Sequence, residues 1–171
     1  MLLGTKQTFA IECYHDPFPN AAKRVFGRMC VWVNGAPLGD IEEPACMLNV
    51  TEGHLSGVIA RLEVLSDNTL DELDDQALFN FLDQALYLDD DRTTEEVQND
   101  ADKYFKFDFL TNGGESFDRT KSFVVSSGSN IRLLFSDCKA QFHSALVSQE
   151  LFVKTITSFF KWIKNEEQNV G

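Results

Sequence analysis

Two hydrophobic periods follow one another along this chain, and their order restricts the folds open to it. In "TFAIECYHD" Phe9, Ile11 and Cys13 alternate with polar neighbours, as in a half-buried strand. "VFGRMCVWVNGAPLGD" repeats the alternation and carries Asn34-Gly35, the dipeptide of a two-residue hairpin turn, before a short return strand through Leu38. "CMLNV" reads as another strand. Thr51 is then expected to cap a helix, "EGHLSGVIARLEVL", whose Leu55, Val58, Ile59, Leu62 and Leu65 fall at helical spacing.

A second helix is predicted over residues 69 to 88, opened by a Thr69/Glu72 capping box. Its apolar stripe would be Leu70, Leu73, Ala77, Phe81, Gln84 and Leu88, widened by Leu78, Leu82 and Ala85. Thr93 or Thr94 should cap a short helix after it. "KYFKFDFL" returns to strand alternation, "TNGGES" to turn chemistry, and "SFVVSSGSN" with "IRLLFSD" to a hairpin through Gly128-Ser129-Asn130. Ser148 and Glu150 open a last helix that buries Phe152, Ile156, Phe159, Phe160 and Ile163. Strands, helices, strands and a helix predict an α+β fold: a mainly antiparallel sheet with packed helices, in a single domain over 1–171.

Charge is distributed unevenly. Thirteen of the 27 acidic residues and one of the 15 basic ones lie between Asp67 and Asp102. That acidic helical segment, 67–102, therefore carries the whole net charge of −12 and leaves the remainder neutral. Charge serving only solubility could be spread anywhere, and its concentration adds self-repulsion. A basic partner gives that repulsion a use, since opposite fields steer association and add specificity. Nucleic acid is excluded as a partner, because its phosphates would be repelled. The candidate partner-binding residues are Asp71, Glu72, Asp74, Asp75, Asp89, Asp90, Asp91, Glu95, Glu96, Asp100 and Asp102.

Other chemistries find little support. Asp89, Asp91, Thr93, Glu95 and Asp100 match EF-hand positions, but Thr94 stands where the loop requires Gly, and Asp100 where it requires Glu. Cys138 and His143 lie close in sequence without a family signature around them. Four scattered Cys and three His have no paired zinc spacing. "TNGGES" lacks the lysine and spacing of a phosphate loop. No catalytic residue, metal or cofactor is expected. Cys13, Cys30, Cys46 and Cys138 read as buried reduced thiols. No apolar run reaches the length of a membrane span, and "MLLGTKQTFAIE" has no basic region before a long apolar stretch. A cytoplasmic monomer is expected.

"FAIEC", "CVWVNGAPLGD", "GESFDRTKSFV" and "ELFVKTITSFFKWI" together resemble the immunity protein 42 family of bacterial polymorphic toxin systems. Some members of such systems are immunity partners of contact-dependent growth inhibition toxins. The resemblance implies a cytosolic, non-enzymatic antitoxin that binds one cognate toxin domain; the charge adds that this domain is basic, as a nuclease would be. A generic acidic module for some other basic partner is the alternative. The segment 67–102 is not among the resembling blocks, so no interface residue is carried over.

Overall fold

Asn34 and Gly35 both take positive φ, 49° and 82°, the left-handed pair that a tight hairpin turn of matching twist requires. This turn joins β3 (Phe26–Val33) to β4 (Ala36–Leu38), with Val33 opposite Ala36. With β1 (Leu2–Gly4), β2 (Phe9–His15) and β5 (Cys46–Met47) they form a first antiparallel sheet of order β1-β2-β3-β4, in which β5 also pairs β3. A second antiparallel sheet holds β6 (Lys121–Ser127), β7 (Asn130–Ser136) and β8 (Phe142–Ser148) in sequence order. The predicted Gly128-Ser129 turn closes its first hairpin, with Ser127 opposite Asn130. These elements belong to a computed structural model that describes residues 1–16, 24–88 and 91–169.

Among the described residues five α-helices accompany the sheets: α1 (Leu48–Ala60), α2 (Asn68–Asp71), α3 (Asp75–Tyr87), α4 (Thr94–Tyr104) and α5 (Gln149–Asn169). The α+β expectation holds, with the strands divided between two sheets. Helix α5 packs on both sheets. Its Phe152, Ile156, Phe159 and Ile163 are fully buried, as their spacing predicts, while Phe160 is only partly covered. The Phe152 ring lies 5.1 Å from Phe9 of β2 and 5.8 Å from Phe109, which leads into the second sheet.

Several elements depart from expectation, each for a local reason. Helix α1 begins at Leu48, so "CMLNV" is strand only through Met47. Thr51 is no cap: it is buried inside α1 and donates its hydroxyl to the Gly113 carbonyl at 2.5 Å. "KYFKFDFL" is not a strand. Its Tyr104 ends α4, residues 105–107 make a 3-10 turn, and only Asp108 bridges to Phe123. Arg61 takes the Lys106 and Asp108 carbonyls, both at 2.7 Å, so a side chain fills acceptors that a strand partner would use. Cys13, Cys30 and Cys46 are buried, whereas Cys138 is partly exposed; all four are free thiols.

The predicted helix 69–88 is divided. Asp67 accepts both the amide (3.0 Å) and the hydroxyl (2.6 Å) of Thr69, so Thr69 is committed to Asp67 and α2 is a single turn. Asp74 then adopts an extended backbone and caps α3 by accepting the Ala77 amide at 2.8 Å. Short Asp side chains compete with helix continuation by bonding nearby amides. The restart also sets the phase. Leu78, Phe79, Leu82 and Ala85 enter the core, while Phe81 is 36% and Leu88 51% exposed.

Leu78→Ala should therefore destabilise the fold by about 2–5 kcal/mol through lost burial and a cavity. Phe81→Ala should cost only about 1 kcal/mol, the scale of an aromatic pair. Urea unfolding of the two variants separates them; equal losses would mean that α3 sits in the phase of the original stripe.

Candidate functional site

The acidic segment is held to the fold by a few of its own carboxylates. Asp75 at the start of α3 meets Arg132 of β7, with Nη2 at 2.6 Å and Nε at 3.0 Å, and Arg132 also donates to the Leu73 carbonyl at 3.0 Å. Asp83 pairs with Lys121 of β6. Phe79 packs between Phe123 and Phe142, with ring centroids 5.4 and 5.3 Å away. Near the end of α3 the Tyr87 hydroxyl donates to Asp108 at 2.7 Å. Burial pushes the Asp108 carboxyl above the usual range, opposed by the Tyr87 and Thr111 hydrogen bonds. Two carboxylates of the −12 block are thus matched by cations of the second sheet.

Arg92, the one cation inside the block, closes α3 onto α4. Its guanidinium donates to the carbonyls of Gln84 (2.8 Å), Ala85 (3.1 Å) and Leu88 (3.2 Å), and to Asp100 of α4 (2.6 Å). The last carbonyls of a helix lack intrahelical partners and sit at its negative end, so a forked cation there serves both deficits. Helix α4 has its own start: the Thr93 hydroxyl accepts the Glu96 amide at 3.3 Å while Glu96 accepts the Thr93 amide at 2.8 Å, the capping box expected of Thr93 or Thr94. The segment is a closed helical hairpin standing on the second sheet.

Its outer surface is where the remaining carboxylates lie. Asp71, Glu72, Asp74, Asp91, Glu95, Glu96 and Asp102 are exposed. Asp75 and Asp100 are partly covered and held in ion pairs. Asp89 and Asp90 lie outside the described residues. Asp74 and Glu96 are exposed yet serve as caps, and Asp102 accepts a bond from Gln98 at 2.7 Å. Between α3 and α4 runs a groove of about 280 Å³ lined by Phe81, Gln84, Ala85, Arg92, Asp100 and Tyr104. Phe81 stands edge-on to Tyr104, with centroids 5.0 Å apart. Leu88, Val97 and Phe105 are also exposed, at 51%, 43% and 52%. The segment therefore exposes apolar side chains as well as carboxylates.

Sequence reasoning missed that apolar component. It placed Phe81 and Leu88 in the buried stripe and Phe105 in a strand. The role of Arg92 had a readable signal: an arginine a few residues beyond a helix end is placed to bond its last carbonyls.

The rejected calcium loop is helical from Thr94, and its Asp100 faces Arg92. His143 stacks on Phe135 at 5.0 Å and meets Asp137 at 3.1 Å, while burial pushes the nearby Cys138 thiol up, away from the reactive thiolate. Burial raises the Cys13 and Cys30 thiols to about 12. Among the described residues no group of three or more His, Cys, Asp or Glu could hold a metal ion, and no helix is long and apolar enough to cross a membrane.

The family model for immunity protein 42 matches residues 1–162, a span that includes the acidic segment. Among solved structures, a CdiI from Burkholderia dolosa AUO158 shares the fold, with a TM-score of 0.66 at 15% identity over 94% of this chain and 99% of that one. No curated protein gives a significant match.

Two outcomes follow from the hairpin's construction. Arg92→Ala removes a charge-assisted pair and three carbonyl caps, and should cost about 1.5–3 kcal/mol. Hydrogen exchange should accelerate mainly across residues 84–104, and Arg92→Lys, which lacks the fork, should restore little. At Asp75, burial pushes the carboxyl up, but hydrogen bonds from Arg132 and Ser144 and the Arg132 charge outweigh it, so its pKa lies below the ordinary value. The folded state then binds fewer protons than the unfolded chain, so this contribution is present above the ordinary Asp range near pH 3.9 and is lost as pH falls through it. Asp75→Asn should flatten the acid side of the stability–pH curve, read from urea midpoints between pH 3 and 7.

Proposed function

The chain belongs to the immunity protein 42 family, and on that premise we propose that it is a cytosolic antitoxin that binds one cognate toxin domain in a stoichiometric complex and blocks it. The toxin domain is basic, and a nuclease is the activity that such a surface suits best. The exposed carboxylates of the hairpin stand in for the phosphates of its substrate and cover its nucleic-acid groove. No turnover is required of this chain: the reading is occupancy of a surface, with no reaction at it.

One observation carries the surface assignment. Glu95, Glu96 and Asp102 lie on α4 and Asp74 caps α3, the two helices that hold the groove lined by Phe81, Asp100 and Tyr104, while Asp71 and Glu72 precede α3 and Asp91 lies between the helices. Phe81, Val97 and Phe105 are exposed among these charges and offer a partner apolar contact area. The carboxylates steer the encounter, and the apolar centre supplies contact area whose loss would shorten the complex's lifetime.

The internal roles of Asp74, Asp75, Glu96 and Asp100 decide how this should be tested. Neutralising Asp74, Asp75 or Glu96 would also remove a cap or an ion pair, so these positions cannot be changed with the fold held constant. Asp71, Glu72, Asp91 and Glu95 are exposed and free of those duties. Their joint change to Asn or Gln should lower the association rate with the toxin domain by roughly ten-fold or more at low ionic strength. The difference should shrink above about 0.15 M salt, where the screening length is about 8 Å. Phe81→Ala should act mainly on the dissociation rate. Stopped-flow binding across a salt series, beside protection of cells that express the toxin, measures both. Unchanged rates, salt slope and protection would reduce the segment to a solvated face. A salt-dependent complex with a different basic protein, without protection from the toxin, would favour the generic acidic module.

A further inference from the structure

The second sheet ends in an open edge. Strand β8 pairs with β7 over seven residue pairs, from Asn130–Ser148 to Ser136–Phe142, in a register without a bulge. Among the described residues it pairs with no strand on its other side. Natural proteins protect an edge of this length with lysine, proline, a bulge or an inward charge. β8 reads "FHSALVS" and has none of these; its Leu146 is 61% exposed.

Opposite this edge the turns of the first sheet form a wall. A cleft of about 290 Å³ separates Ala145–Ser148 from Gln7, Thr8 and Asn34. A second, of about 520 Å³, separates His143 and the loop around Lys139 from Gly35, Ala36 and Pro37. Asn34 lines both, so the two are parts of one trough that runs along β8 past the tip of the β3–β4 hairpin. The stretch beside Ala145–Ser148 has no charged lining residue, and the other is lined by one carboxylate, Asp137, and one cation, Lys139.

We propose that this trough is a second docking site, separate from the acidic hairpin, and that its occupant is an extended, uncharged segment of the toxin domain that adds a strand to β8. The inference rests on the antitoxin reading for the identity of the partner. An unpaired row of amides and carbonyls is complementary to an extended backbone, and side-chain pockets on alternate residues then select its sequence. A second copy of this chain does not fit. Its β8 would arrive backed by β7 and β6, about 10 Å of additional sheet at about 4.8 Å per strand, at a cleft bounded on its far side by Thr8 and Asn34. A lining without net charge offers no attraction to the basic segments that the hairpin attracts, so the two surfaces address different parts of one partner.

Hydrogen exchange of the full chain, alone and with the toxin domain encoded beside it, tests the proposal. In the complex, amides within 142–148 should exchange at least about ten-fold more slowly. Gln7→Trp, which places bulk in the trough from the exposed wall, should weaken binding about ten-fold while leaving the free chain's unfolding midpoint unchanged; Leu146→Ser tests the same contact from the strand side. A complex that forms with β8 exchanging as in the free chain, and with both variants binding as the parent does, overturns the docking site and leaves the antitoxin reading standing. Protection of β8 in the free chain together with dimer sedimentation would assign the edge to a second copy and overturn it as well. Failure to form any complex overturns both readings.

Discussion

The burial of one helix against two sheets is the constraint on which the rest of this fold depends. Neither sheet is large, and the second has three strands. Sheets of this size need a packed apolar face to persist in water. Helix α5 provides it to both, with Phe152 joining Phe9 of the first sheet to Phe109 at the second. The contacts of α5 with β1 and β2 join segments far apart in sequence, so the core is closed by a long-range contact. The trough beside β8 exists because the two sheets meet at α5 and not edge to edge.

Electrostatics sets the second layer of organisation. A block of −12 would repel itself if left uniform. Part of that repulsion is removed by the fold: Arg132 and Lys121 reach in from the second sheet, and Arg92 joins α3 to α4. Other carboxylates cap helix starts, where the dipole and unpaired amides favour negative charge. Among the described residues, Asp71, Glu72, Asp91 and Glu95 are left over and face solvent. The same residue type therefore acts as anchor, cap or exposed charge within a few positions of sequence, and only the first two roles are stabilising by themselves.

The two proposed surfaces would differ in the kind of recognition they offer. Charge on the hairpin acts at a distance and tolerates variation in the partner's contacts. A strand edge acts only at contact, through directional backbone bonds, and is insensitive to salt. A binder that combines them gains rapid encounter from one and fixed register from the other.

The α+β class, the two glycine-bearing hairpin turns, the α5 stripe and the charge block were all legible in the sequence, because each rests on neighbours within a few residues. Periodicity and turn chemistry are local, and the net charge of a segment needs no fold. The break between α2 and α3, the exposure of Phe81 and Leu88, and the loss of the "KYFKFDFL" strand were decided by tertiary structure. In each case a polar group found a partner that pattern reasoning could not see: Thr69 in Asp67, the Lys106 and Asp108 carbonyls in Arg61. Of the candidate site, the sequence located the acidic segment and its residues. Which carboxylates are committed inward, as Asp75 and Asp100 are, and which remain for a partner depends on cations up to 57 positions away in the chain, brought into range only by folding.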